Sequence, residues 1–182
     1  MDLYALLKLV HIAAAIIWVG GATLMTVLFL ALMRRDDEDT LRFLSYTSLL
    51  GNRFFVPVAL ITIIVGLVLA WLGGWGLAAW TVLAAGTVAV TFTLGGAVLS
   101  PAADRCLALW RAGDTPAAME LGRRVIRLTK FDLAAQWAII ALMVLKPGWT
   151  DPLLLVPAGL VLLGVALALR PVAGPRPTAR PA

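Results

Sequence analysis

Long apolar stretches separated by short charged or glycine-rich breaks set the pattern of this chain. Five of them are long enough to be membrane spans, at about residues 3–32, 54–72, 77–100, 131–146 and 151–169. A helix rises ~1.5 Å per residue and a hydrocarbon core is ~30 Å thick, so about twenty apolar residues suffice for one crossing. Gly73, Gly74, Trp75 and Gly76 form the tight turn between the second and third spans. Pro101 is expected to stop the third, and Pro147 with Gly148 the fourth. The helix-compatible stretch from Pro116 to Lys130 extends the fourth beyond the bilayer. The pattern predicts an all-α, polytopic transmembrane bundle. Residues 1–147 form a four-helix core with two loops, 148–170 add a peripheral helix facing lipid, and 171–182 form a disordered tail rich in Pro and Ala.

Charge orients the bundle. Arg34, Arg35, Arg42 and Arg53 follow the first span, and Arg105, Arg111, Arg123, Arg124, Arg127 and Lys130 follow the third. Arg170, Arg176 and Arg180 follow the fifth, while the opposite side offers only Lys8 and Lys146. By the positive-inside rule the N-terminus lies outside and the C-terminus in the cytoplasm. Tyr4, Trp71, Trp75, Trp80 and Trp149 are then expected to form an aromatic belt at the outer interface. The acidic start Met1-Asp2, with no small-residue cleavage site after the apolar run, predicts a retained first helix rather than a removed leader.

Composition agrees with this architecture. Of 182 residues, 62% are hydrophobic and only 14% charged, against the roughly 25% usual in soluble domains. The net charge of +5 is assigned to topology and anionic lipid headgroups, with no nucleic-acid partner expected. Cys106 is the lone cysteine and matches no disulfide or metal spacing. The run from Arg34 to Asp39 reads as a solvated turn, with Asp39 or Thr40 capping an amphipathic helix. Asn52 and Arg53 are candidates to meet a lipid phosphate or Asp132, and the glycines and threonines of spans two and three to support close packing. No phosphate loop, nucleophile–base pair or row of intramembrane carboxylates is present, which removes the usual hydrolase and proton-pump chemistries.

One residue carries most of the chemical interest. His11 is the only histidine, and an ionisable group inside an apolar helix is a functional candidate by default. Helical spacing aligns Lys8, His11, Ala14, Ala15, Trp18, Ala22 and Met25 on one face, with Ala14 and Ala15 leaving room beside the imidazole. A second stripe on the fourth span holds Asp132, Gln136, Ile139, Met143 and Lys146. Lys146 then emerges in the same leaflet as Lys8 and His11. Two cations and an imidazole at one depth suit an amphiphilic anion with an apolar body, and haem b fits that description. His11 would be its axial metal ligand, and Lys8 and Lys146 would hold the propionates. The sixth position is left open, or is filled by a weak ligand such as Met143 or Met25, or by a second His11 across a homodimer. A histidine hydrogen-bonded to a neighbouring helix explains the same spacing without any ligand.

The segment Leu7-Lys8-Leu9-Val10-His11-Ile12, followed by Trp18-Val19-Gly20-Gly21, resembles a family of small bacterial integral-membrane proteins of unknown function. Phe131-Asp132 and the stretch from Ala141 through Lys146-Pro147 carry the same resemblance, over about residues 4–147. More distantly, the skeleton looks like the bacterial membrane protoporphyrinogen oxidase and copper-resistance D families. The oxidase resemblance implies a porphyrin or haem site at Lys8, His11 and Lys146. This chain departs from that family by lacking an arginine and a second histidine between Ala22 and Leu32, and by Phe131-Asp132 in place of an Asn-Glu-like pair. The expectation is therefore a multi-pass protein of the bacterial cytoplasmic membrane with a porphyrin or haem ligand, in a redox or haem-handling role. Were it an enzyme, it would be a porphyrin-linked oxidoreductase. A copper or small-solute permease and a non-catalytic assembly subunit are the alternatives.

Overall fold

The computed structural model describes residues 2–172, so most of the expected tail lies outside the described residues. Among the described residues, seven α-helices form five long rods: α1 (Leu3–Leu32), α2 (Asp37–Leu50) running into α3 (Val56–Leu72), α4 (Ala79–Thr93) running into α5 (Ser100–Arg111), α6 (Thr115–Leu145), and α7 (Leu155–Leu169). All five rods are long and apolar enough to cross a membrane. The first four have 30 to 36 residues, about 45–54 Å of helix, and so outreach a ~30 Å core.

Local chemistry explains the ends. Asp2 accepts from the Tyr4 N–H, Asp36 from Asp39 and Asp114 from Ala117, each satisfying an N–H that the first turn leaves without a partner. The cap of α2 is thus Asp36, not the expected Asp39 or Thr40. Both of those lie inside a first turn whose acidic residues, Asp37, Glu38 and Asp39, favour the positive end of the helix dipole. Lys146 closes α6 in the left-handed region (φ 47°), and Pro147 cannot continue the helix.

Two expected boundaries are overturned. No helix break precedes the second span at Phe54, because α2 and α3 are one rod joined by a π-helical turn at Gly51–Phe55. The third is not stopped by Pro101, because a second π-turn at Leu94–Leu99 passes directly into α5. Proline breaks a helix by clashing with the carbonyl four residues back and by withholding an N–H. Here the N–H groups of Val56 and Ser100 reach five residues back, to the carbonyls of Gly51 and Gly95. Each widened turn ends two residues before a proline, Pro57 or Pro101, and the chain continues through it.

In the bundle, α1 packs between α3 and α6, α4 and α5 lie along α6, α2 bridges α1 and α5, and α7 lies along α6. Gly164 seats α7, since a Cβ there would fall 2.6 Å from Ala134 Cβ and 3.3 Å from the Phe131 carbonyl oxygen. The larger core cluster sits at the arginine-rich end, around Phe29, Met33, Leu41, Cys106, Met119 and Ile126. A smaller one, Trp80, Ala84 and Leu142, lies toward the other end. Trp80 is therefore a packing residue rather than part of an exposed belt, whereas Trp71 and Trp149 are exposed.

Candidate functional site

His11 is half-buried in the seam between α1 and α3. Its Nδ1 lies 2.9 Å from the Thr62 carbonyl oxygen. A carbonyl only accepts, so Nδ1 carries the hydrogen and the neutral ring keeps its lone pair on Nε2. The helical N–H partner of the Thr62 carbonyl belongs to Gly66, four residues on. A Cβ on Gly66 would fall 2.8 Å from His11 Cε1 and 3.2 Å from Nδ1. A side chain there would screen this carbonyl, and glycine leaves it open to the imidazole. Room for the ring on the α3 side thus comes from Gly66. Gly66 is the site residue that sequence reasoning missed. The available signal was an isolated glycine inside a strongly apolar helix, which marks a close approach.

Lys8 and Lys146 reach the arginine-poor end as expected, and both ammonium groups rest on aromatic rings. Lys8 Nζ is 5.3 Å from the Tyr4 ring centroid. Lys146 Nζ is 4.3 Å from Trp75 and 5.4 Å from Trp80. Tyr4 meets Trp75 edge-on at 6.3 Å, and Trp75 meets Trp80 at 5.3 Å. The two cations are thereby linked through three rings, an arrangement that attracts charge through the ring faces. Trp18 is half-buried two turns below His11 on α1. Met143 packs against the Trp80, Ala84 and Leu142 cluster, on the side of α6 that meets α4.

Three further features lie nearer the arginine-rich end. Gln136 Nε2 donates to Asp132 Oδ2 at 2.7 Å, and both residues are buried. Arg53 is exposed and makes no ion pair among the described residues, so Asp132 has Gln136 rather than Arg53 as its partner. An apolar cavity of about 280 Å³ lies between the α2–α3 and α4–α5 rods, lined on both sides by the π-turn residues Gly51, Phe55, Gly95 and Gly96. It includes none of Lys8, His11, Trp18, Met143 and Lys146. Ser48 donates to Asp104 Oδ1 at 3.1 Å between α2 and α5. Cys106 is enclosed in the extension of the bundle beyond the bilayer, where burial pushes its thiol up to about 11 and leaves no reactive thiolate at neutral pH. No group of three His, Cys, Asp or Glu residues poised for a metal occurs among the described residues.

A family model described as predicted integral membrane protein, DUF2269, matches residues 5–147. The chain belongs to that family. The matched region runs from the first turn of α1 through Lys146-Pro147, so it contains His11, Trp75, Trp80 and the Asp132–Gln136 pair. The protein is thus a multi-pass integral membrane protein, and the function of its family is not known. No curated protein and no solved structure matches the chain.

Proposed function

We propose that the protein binds haem b or a related porphyrin, with His11 Nε2 as the axial ligand, in a redox or haem-handling role in the bacterial cytoplasmic membrane. The supporting observation is the His11–Thr62 contact. Metal-bound histidines almost always donate their other ring N–H to a carbonyl or carboxylate, which fixes the tautomer and ring orientation. The chain provides that outer partner from a helix backbone and clears the approach with Gly66. Lys8 and Lys146, joined through the Tyr4–Trp75–Trp80 cluster, are the groups that would hold anionic propionates at the same end. A bound iron porphyrin supplies one-electron chemistry. The residues here orient its ligand nitrogen and neutralise its carboxylates. Met143 faces α4 and Met25 lies about 21 Å along α1 from His11, so neither would join His11 in holding the iron, and an exogenous ligand or His11 of a second copy in a homodimer would do so.

One observation favours a different role. The imidazole lies flush against Gly66, as it would if it simply pinned α1 to α3 in a non-catalytic subunit. A copper permease has less support, since the chain has one histidine and one cysteine to offer as soft nitrogen and thiolate ligands. Visible spectra of the detergent-purified protein, oxidised and reduced, separate these roles. A Soret band present in the wild type and lost in His11→Ala is the expected result. A colourless wild type after haem supplementation, or a band unchanged in His11→Ala, overturns the haem assignment.

A further inference from the structure

Asp132 and Gln136 are 8% and 3% exposed, and the bond between them engages only one polar atom of each side chain. Asp132 Oδ1 and Gln136 Oε1 are both fully enclosed and have no hydrogen-bond partner among the described residues. Such groups are costly unless something supplies a donor or a positive charge.

The neighbouring helices add more acceptors and no cation. Trp137 Nε1 donates to Thr23 Oγ1 at 3.3 Å, which fixes the depth of α1 against α6. Measured from that contact at 1.5 Å per residue, Thr26 lies about 4.5 Å toward the arginine-rich end, between Gln136 at about 1.5 Å and Asp132 at about 7.5 Å. Ala84 packs with Leu142, so Thr91, seven residues along α4, reaches the depth of Ala135. Thr26 and Thr91 are both buried. Their hydroxyls give their protons to the Ala22 and Val88 carbonyls, leaving oxygen lone pairs at this level.

Basic groups on the surrounding elements are absent or committed elsewhere. Between Ile12 and Leu32 α1 carries no charged residue, and α4 and α7 carry none at all. On α6 itself, Lys130 Nζ donates to the Leu167 carbonyl, and Arg127 lies a further turn away. Arg53, before α3, is exposed. On α2, Arg42 pairs with Glu38. On α5, Asp104 accepts from Ser48, and Arg105 and Arg111 are exposed.

We propose that Asp132 Oδ1 and Gln136 Oε1 form a buried site for a single positive charge, a proton or an alkali-metal ion, between α1, α4 and α6. One carboxylate and neutral oxygens balance one positive charge. A divalent ion is normally held by more carboxylates, and a soft metal by sulfur or nitrogen. The site is independent of any porphyrin at His11, from which it is separated by most of the length of α1.

The test uses the purified full-length chain in detergent, as wild type, Asp132→Asn and Gln136→Leu. Thermal midpoints are measured in NaCl, KCl and choline chloride at constant ionic strength, together with the infrared band of protonated carboxyl groups at neutral pH. An alkali-metal ion raises the wild-type midpoint in step with the logarithm of its concentration, and both variants lose the response. A proton gives no ion response but a protonated-carboxyl band in the wild type that Asp132→Asn removes. Both wild-type measurements stand even if a variant fails to fold. A wild type with neither an ion response nor a protonated-carboxyl band overturns the site, as does either signal persisting in folded Asp132→Asn.

Discussion

The two ends of this bundle are held together by different physics. At the arginine-rich end, Met33, Leu41, Met119 and Cys106 are almost fully enclosed, as in the core of a soluble protein. Across the apolar part of the helices, large residues such as Leu9, Ile16, Leu24, Ile64 and Leu67 point outward, and beside the small cluster of Trp80, Ala84 and Leu142 the contacts between helices include a histidine on a carbonyl, an indole on a threonine, and glycine seats. The hydrophobic effect needs water. Where the rods project beyond the bilayer it drives apolar side chains inward. In lipid that drive vanishes, and close backbone approach with a few polar bonds takes over.

Four substitutions break or sharpen that contrast. Leu41→Ala creates a void in the water-facing core and is expected to cost about 2–5 kcal/mol. Hydrogen exchange should show the loss concentrated in α2, α5 and the first half of α6, and uniform exchange along α6 would remove the distinction. Gly66→Leu forces a side chain into the His11 ring and should cost about 1–3 kcal/mol by overpacking, read as a lowered thermal midpoint. Under the haem assignment it also removes the Soret band. Trp137→Phe deletes the hydrogen bond to Thr23 and should cost only ~0.6 kcal/mol, the usual size for such bonds between membrane helices. A much larger loss in an unfolding titration would show that polar contacts dominate the apolar part.

The smallest effect belongs to the exposed surface. Arg123 and then Arg124 hydrogen-bond Glu120, at 3.2 and 3.4 Å, and hold its carboxyl below the usual glutamate range. The folded value lies below the unfolded one, so this contribution is present above the ordinary glutamate value and fades as the pH falls through the lowered one. Glu120→Gln should therefore lower the thermal midpoint slightly at neutral pH and leave it unchanged in acid. A midpoint difference that grows in acid would reverse the assignment.

Much of this fold is legible in the chain because it follows from local composition. Apolar length sets the five rods, Gly73 and Gly74 mark the turn between α3 and α4, and the helix-compatible run before Phe131 extends α6 to Thr115. Pro101 misleads because the rule that proline ends a helix assumes a normal turn before it. The π-turn at Leu94–Leu99 has no signature in single-residue preferences.

The candidate site divides in the same way. A lone histidine in an apolar helix, with lysines at Lys8 and Lys146, can be read from spacing within single helices. The sequence alone determined which residues could carry chemistry and roughly how deep in the membrane they lie, because burial of an ionisable group and helical rise are properties of one segment. Only the tertiary structure decided what each residue meets: His11 a carbonyl opened by Gly66, Lys146 two indole faces, and Asp132 a glutamine that leaves one oxygen on each side chain unpaired. Those partners lie on other helices, or depend on which face of a helix turns inward, and helix packing in lipid follows small-residue fit that no hydropathy pattern records.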